Sequence, residues 1–498
     1  MAALVLIPLL VPAALAVGSW WRRDQRWASA TALPAGAVVL ACGLALLVRI
    51  PDVAPVHAGG LLRADALSAW LLLTIGAVAV TALWAGLPGR DEQSPWDGRS
   101  SALVCLFLAA MSLAVLSDNL GVLWVAVEAT TITTAFLVGH HGGRRSLEAA
   151  WKYVVLGSVG VAIAFLGIVL LYAATVAAGA PTLSWARLAT GDIALDPGLT
   201  RIAIALTVLG FATKAGLAPL HSWLPDAHSQ APAPVSGLMS GVLLSVALYA
   251  ILRVQALGVA ALGSDVLRGL LVVGGLLSLA VAGALMLAQR DYKRLLAYSS
   301  IEHMGIMALG AAVGGTLATA AVLLHMLGHG LVKAVMFVVA GRILASEGSP
   351  RIDDVTGLLA HRPDLARPLL IGTTALLGFP PFVLFFTEVT IVVTGWQAGL
   401  GWAMGIALVL LLVVFAGLSR HVLAMTLGAS VRADAAGTVN RGGDLADPGP
   451  AAPDVGPSGG GRQAPVLLGL AAAAVLGFLA VPLAGTLDAA ASVLAGVP

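Results

Sequence analysis

With 59% hydrophobic and only 10% charged residues among 498, against about 25% charged in an average soluble domain, the chain is not an ordinary water-soluble fold. A formal charge of +2 supplies no basic surface for nucleic acid, so the charges inform by position rather than by sum. Cys42 and Cys105 lie in apolar runs without CxxC spacing, which offers neither a disulfide framework nor a zinc or iron–sulfur site; both are read as buried thiols.

The opening run MAALVLIPLLVPAALAVGSWWRRDQR has no basic residue before its apolar stretch, the wrong polarity for a secretory signal, and is read as a retained first helix. A bilayer crossing needs about 20 apolar residues, and polar punctuation divides the chain into an all-α polytopic membrane protein of about fourteen transmembrane helices. Helices near 3–20, 29–50 and 65–87 make an N-terminal segment, residues 1–100. Those near 101–117, 120–139, 151–178, 201–220 and 232–257 make a first five-helix unit, residues 101–258. A second unit, residues 263–426, holds 265–288, 295–313, 316–344, 368–395 and 401–425. Residues 427–463, rich in Gly, Pro, Asp and Ala, read as a polar, disordered linker. A last helix lies near 464–484, within 464–498.

Loops after odd-numbered helices carry nineteen Lys and Arg, and those after even-numbered helices six. The positive-inside rule then places the odd-helix ends in the cytoplasm and both termini outside. Lys214 and Lys333 remain within predicted spans. Because five is odd, consecutive five-helix units have opposite topology, the plan of inverted repeats. The fourth helix of each is interrupted by proline beside a charge: Lys214, Pro219 and Pro225 in FATKAGLAPLHSWLPDAHSQ, and Pro380, Pro381 and Glu388 in LLGFPPFVLFFTEVT. Such breaks at membrane depth are tolerated where they are packed in protein or line a wet cavity, so both plain kinks and ion sites fit.

A charge at the bilayer centre costs at least about 2.5 to 3.5 kcal/mol, so intramembrane charges need a reason. Glu128 lies mid-span in LWVAVEATTITTAFLVG, and an ion pair with Lys214 would offset the cost of both, as static bridge or as working pair. In AAVLLHMLGHGLVKAVMF, His325, His329 and Lys333 stand at i, i+4 and i+8, stacked along one helix face at about 6 Å per step. Imidazole accepts a proton on one nitrogen and releases one from the other, so this face suits a relay. HxxxH is also a zinc-helix spacing, but no HExxH glutamate accompanies it and a lysine stands nearby, so no metal is assigned. Glu302 and His303 sit about two turns into the tenth helix, 295–313, in YSSIEHMG. Lys293 and Asp291 fit an interfacial loop anchor. Asp226 and His228, at the first break, could feed protons from the surface or cap freed backbone groups.

The stretches DNLGVLWVAVEATT, TKAGLAPLHSWLPDAHSQAPAPVSG, DYKRLLAYSSIEHMG and HMLGHGLVKAVMF resemble the antiporter-like membrane subunits of respiratory complex I, Mrp cation/proton antiporters and membrane-bound hydrogenases. The likeness spans roughly residues 60 to 425 and, in LEAAWKYVVLGSVGVA and HSQAPAPVSGLMSGVLLSVALYAILR, is nearest to the F component of hydrogenase-4. That resemblance implies a proton half-channel in each repeat, joined by a hydrated polar axis. Position by position it makes Glu128 the glutamate of helix five and Lys214 its partner. His325, His329 and Lys333 become the central relay and Glu388 the exit residue. It also implies partner membrane subunits, a peripheral redox arm carrying the cofactors, H+ or Na+ as the ion, and a prokaryotic plasma membrane. One departure is Ser245, where complex I relatives carry a second lysine. The long amphipathic arm of one complex I member has no counterpart after residue 484.

The mechanism these readings imply is a charge-coupled relay in which Glu128 holds Lys214 protonated, and parting the two sends the proton toward the histidine helix and Glu388. With no GxGxxG, Cys cluster or haem motif, the chain is expected to hold no cofactor of its own. Three rival readings stay open: an autonomous or Mrp-type Na+/H+ antiporter, a carrier of organic substrate, and a structural membrane anchor. A carrier would need a roomy polar site, and an anchor has no use for several intramembrane charges.

Overall fold

The computed structural model describes residues 2–21, 25–49, 55–87, 97–263, 265–428 and 460–495; the expected linker falls outside them except at its edges. Helices α1 (Ala2–Trp21), α2 (Gln25–Arg49) and α3 (Ala66–Ala85) precede α4 (Gly98–Leu116), α5 (Leu120–Val138) and α6 (Arg144–Ala177). Between α2 and α3, β1 (Val56–Ala58) and β2 (Leu62–Ala64) form an antiparallel hairpin pairing Val56 with Ala64. The sequence reading missed it, although Gly59 and Gly60, both at positive φ, are the residues a tight hairpin turn requires.

The chain continues through the short α7 (Trp185–Ala189), then α8 (Pro197–Lys214) and α9 (Trp223–Gln230). Next come α10 (Ala233–Leu238), a π-helical turn Met239–Leu243 and α11 (Leu244–Leu262). After them follow α12 (Asp265–Leu287), α13 (Tyr292–Val313), α14 (Gly315–Glu347), α15 (Leu358–His361), α16 (Pro363–Leu376), α17 (Val383–Gly395) and α18 (Gly401–Leu427). Two C-terminal pieces, α19 (Gly460–Leu479) and α20 (Ala484–Ser492), close the described chain. Each of the fourteen expected helices has a counterpart, and ten helices among the described residues are long and apolar enough to cross a membrane.

Capping fixes where helices begin. Asp65, Asn119, Asp196 and Asp291 accept backbone N–H bonds from the first turns of α3, α5, α8 and α13, satisfying donors that no helix can satisfy internally. Small residues then let backbones meet. A methyl at Gly210 of α8 would lie 2.3 Å from the Ala164 nitrogen of α6, the close approach by which apolar helices associate when lipid offers no hydrophobic drive. The expected single C-terminal helix is two pieces bent by 84°, because Pro482 lacks the N–H that would carry the ladder across the break.

Side chains of α6 such as Val159, Phe165 and Leu166, and of α18 such as Trp402, Val409 and Leu412, point outward. At the centre lies α14, whose residues from Ala318 to Ala340 are all buried. A helix apolar over most of its circumference and buried on all sides is the core of a large bundle. His325, His329 and Lys333 are fully buried within it.

Candidate functional site

Besides the C-terminal bend, two helix breaks among the described residues each hold an ionisable group. In the first, α8 stops at Lys214 and α9 restarts at Trp223. Gly216 takes φ +73°, a left-handed conformation open to glycine at little cost. The loosened end is held from two sides: the Trp223 indole N–H donates to the Thr213 carbonyl at 2.9 Å, and Ala218 N–H donates to Ser278 Oγ of α12 at 2.9 Å. In the second, Gly378 takes φ +64° between α16 and α17, and a Cβ there would lie 2.4 Å from Glu388 Oε2. The missing side chain is the space in which the Glu388 carboxylate rests.

Around the first break, Lys214 is wholly buried and donates to Thr131 Oγ1 at 2.8 Å and Tyr153 OH at 2.5 Å. Thr131 passes its own hydroxyl proton to Glu128 Oε2 at 3.3 Å, and Ser158 donates to Glu128 Oε1 at 2.7 Å. The expected direct Glu128–Lys214 ion pair is therefore replaced by a bridge through a threonine. Both donors of Lys214 that point this way are taken by hydroxyls, and Glu128 is half-buried rather than enclosed. Tyr153 continues the chain to Thr134 at 2.6 Å, and the ammonium lies 4.4 Å from the tyrosine ring centre, an electrostatically favourable position over the negative ring face.

The second cluster gathers three helices. Lys333 of α14 donates to the Leu296 carbonyl of α13 at 2.8 Å and to Ser299 Oγ. One and two turns earlier, His329 and His325 stack with ring centres 6.4 Å apart, the single face that spacing by four dictates. From α13, His303 comes within 4.9 Å of the His329 ring and places Nδ1 3.2 Å from His325 Nε2. His325 Nδ1 is hydrogen-bonded to Thr387 Oγ1 at 2.8 Å, and His303 Nδ1 lies 3.9 Å from Glu388 Oε1, both acceptors on α17. Glu302 is buried with its Oε2 3.4 Å from His303 Nε2. Among the described residues, both ring nitrogens of His329 and of His228 have no hydrogen-bonding partner. Such buried polar atoms are costly unless mobile hydrogen-bonding species serve them.

Asp226, by contrast, stays at the surface, where it receives Arg294 at 2.6 Å and Lys152 at 3.3 Å and borders a cavity of about 210 Å³. His228, two residues on, is buried and stacked on Phe337 with ring centres 5.0 Å apart. Lys293 ties α13 to the carbonyls of Ser229 and Ala231 at 2.9 and 3.0 Å, while Asp291 caps α13; the anchor reading of that pair suffices.

Residues 117–415 match the family described as NADH:quinone oxidoreductase/Mrp antiporter, transmembrane. The chain belongs to that family. As an antiporter-like membrane subunit it is 42% identical over 284 residues to a hydrogenase-4 component F homolog of Methylacidiphilum infernorum, covering 56% of this chain and 60% of the relative. It is 33% identical over 339 residues to NADH-quinone oxidoreductase subunit N of Desulforudis audaxviator, covering 67% of this chain and 66% of that one. The chain thus spans somewhat under two thirds of the length of these relatives. Among solved structures, a chain of the archaeal membrane-bound sulfane sulfur reductase superposes with a TM-score of 0.83 at 25% identity, covering 100% of this chain and 99% of that one. A chain of the Mrp complex from Dietzia has a TM-score of 0.80 at 22% identity over 99% and 97%, a likeness of fold alone.

In this antiporter-like subunit, sequence reasoning missed the hydroxyl partners Thr131, Tyr153, Ser158, Ser299 and Thr387, and the buried cation Arg253. Arg253 of α11 had been counted with the loop charges. It is buried, its Nη2 donates to Asp65 Oδ1 and Oδ2 at 2.8 and 2.7 Å, and its Nε donates to Tyr249 OH at 3.0 Å. The guanidinium lies 4.2 Å from the centre of a Trp185 ring. Asp65 stands just before the α3 span. Burial pushes its carboxyl up, but Arg253, Arg63 and the Ser68 N–H together hold it below the usual carboxylate value.

Proposed function

We propose that this antiporter-like subunit carries protons across a prokaryotic plasma membrane, within a complex whose other subunits supply the driving redox chemistry. The observation that carries the reading is the pairing of the α8–α9 and α16–α17 breaks each with a buried basic centre and a carboxylate: Lys214 with Thr131 and Glu128, and the α14 face with His303 and Glu388. Hydroxyls and imidazoles, which both donate and accept, make every link between them. A fixed structural bridge would be better served by direct bidentate pairs.

On this reading, residues 101–258 and 263–426 are inverted repeats, each with one broken helix, and protons pass from the first centre to the second and leave by Glu388. Ser245, standing where complex I relatives have lysine, turns its hydroxyl back to the Gly241 carbonyl at 3.0 Å and offers no hop. The carrier between repeats is instead sought one turn earlier, where Ser240 in the π-helical turn and Ser300 of α13 lie 2.7 Å apart. Ser300 also reaches the Leu296 carbonyl that Lys333 uses. Single π turns inside α-helices often mark functional sites.

The test is proton uptake per redox turnover in sealed vesicles holding the assembled complex. Glu128→Asp is expected to retain part of the ratio, while Glu128→Gln and Lys214→Arg pump near zero, since guanidinium hardly ever deprotonates. Wild-type pumping by Lys214→Arg would reduce the first centre to a static bridge. Replacing Na+ by choline is expected to change nothing; loss of transport would instead favour the Na+/H+ antiporter reading. The charge asymmetry of the loops supports a topology with both termini outside, so a reporter fused at Pro498 is expected to read periplasmic.

A further inference from the structure

His303 Nδ1, His325 Nε2 and a Glu388 carboxylate oxygen lie within 4.8 Å of one another. The sequence had paired His325 with His329 through HxxxH spacing, but the fold turns His325 toward His303 instead. Ligands bound at 2.0 to 2.2 Å in tetrahedral array stand about 3.3 Å apart. The two imidazole nitrogens are already at 3.2 Å. Glu388 Oε1 is 3.9 Å from His303 Nδ1 and the three ligand atoms span up to 4.8 Å, so the carboxylate has to swing by roughly an ångström toward the two imidazoles to match that spacing. Its side chain is 16% exposed, which leaves it room to move.

The hydrogen bonds around these groups also suit a cation. Thr387 commits its hydroxyl proton to carbonyls of its own helix, Leu384 at 2.9 Å and Val383 at 3.2 Å, so its oxygen accepts from His325 Nδ1–H. That leaves the His325 Nε2 lone pair aimed at His303. The opposite nitrogen of His303, Nε2, has no aligned partner and lies 3.4 Å from Glu302 Oε2. With Nδ1 on an ion, a turn of the nearby Glu302 carboxylate would let it accept from Nε2–H. His325 already has its far N–H on an oxygen, and His303 would then match it, the outer-shell arrangement typical of metal-bound histidines.

We propose that His303, His325 and Glu388 bind one divalent transition-metal ion of the Zn2+ class, and that the bound ion blocks proton passage through the cluster. The binding site rests on geometry; its effect on transport rests on the proton path proposed above. The experiment uses the purified full-length protein titrated with Co2+ as a visible stand-in, and X-ray absorption of the Zn2+-loaded wild type. The expected result is d–d bands of a four- or five-coordinate ion saturating at one per chain, with two imidazoles, oxygen and no sulfur around the zinc. His325→Gln and Glu388→Gln are expected to weaken Co2+ binding at least about 100-fold, and Thr387→Val, which removes only the outer hydroxyl, by about 10- to 100-fold. His361→Ala, at a surface histidine 3.3 Å from Glu347, is expected to leave it unchanged. Sulfur or a single imidazole in the absorption spectrum, or unweakened binding in His325→Gln, overturns the site. If Zn2+ binds as described and proton uptake by the assembled complex continues undiminished, the site stands and the placing of this cluster on the proton path falls.

Discussion

Two kinds of buried charge cluster occur among the described residues, and they are built in opposite ways. Asp65 and Arg253 meet through two hydrogen bonds under 3 Å, with Ser68, Tyr249 and Trp185 closing around them. Lys214 and Lys333 instead donate to hydroxyls and a carbonyl rather than to a carboxylate, and Lys333 stands one turn from His329, whose ring nitrogens have no partner among the described residues. An arginine held bidentately can neither lose its proton nor easily change partner. A lysine on threonine, tyrosine and serine can do both. Burial alone therefore does not mark a charge as working; the partner chemistry does.

That contrast breaks most sharply by exchanging the two kinds of cation. Lys333→Arg should abolish proton translocation, by a factor of 100 or more, while the complex still assembles; vesicle uptake assays read it, and normal pumping would put Lys333 with Arg253 among the fixtures. The converse change, Arg253→Met, should leave the pumped ratio of the surviving folded protein intact but cost about 3 to 5 kcal/mol, because Asp65 is left buried without its partner. Thermal unfolding in detergent measures that loss.

Next in size is Gly378→Ala, which adds a methyl 2.4 Å from Glu388 Oε2 at a left-handed backbone position. The strain there is worth about 1 to 2 kcal/mol. The larger consequence is a displaced exit carboxylate, read as a lower pumping ratio at nearly normal assembly. The smallest effect is set by pH. Since the folded-state value of Asp65 lies below its unfolded value, its contribution to stability is complete above the unfolded value of about 3.9 and disappears as pH falls through the folded one. Wild-type protein should lose this increment in acid, and Asp65→Asn should flatten that part of the stability profile.

The parts of this site that could be read from sequence were those where a charge interrupts an apolar run. Lys214, Lys333, Glu128 and Glu388 stand out because water-loving groups are expensive there, and the prolines mark the breaks. Hydroxyl partners carry no such signal: Thr131 is one of several threonines in α5, and nothing in its spacing says that Lys214, 83 positions later, will find it. Arg253 misled because it stands near a helix end. Only the packing of α11 on α3 brings it to Asp65 across 188 positions.

The enclosure of α14 has a bearing on how the protein is made. A helix with two histidines and a lysine, buried on every side in the finished bundle, is a poor candidate to wait alone in lipid until its neighbours arrive, since each central charge adds about 2.5 to 3.5 kcal/mol against insertion. Its neighbours α3 and α13 both leave the ribosome earlier, with Trp70 of α3 donating to the Leu323 carbonyl of α14 at 2.9 Å and Ser299 of α13 receiving Lys333. Lys333 and His325 of α14 thus meet Ser299 and His303 of α13 on arrival, with Thr387 of α17 following, and insertion of this segment is expected to proceed as docking against α13 rather than alone.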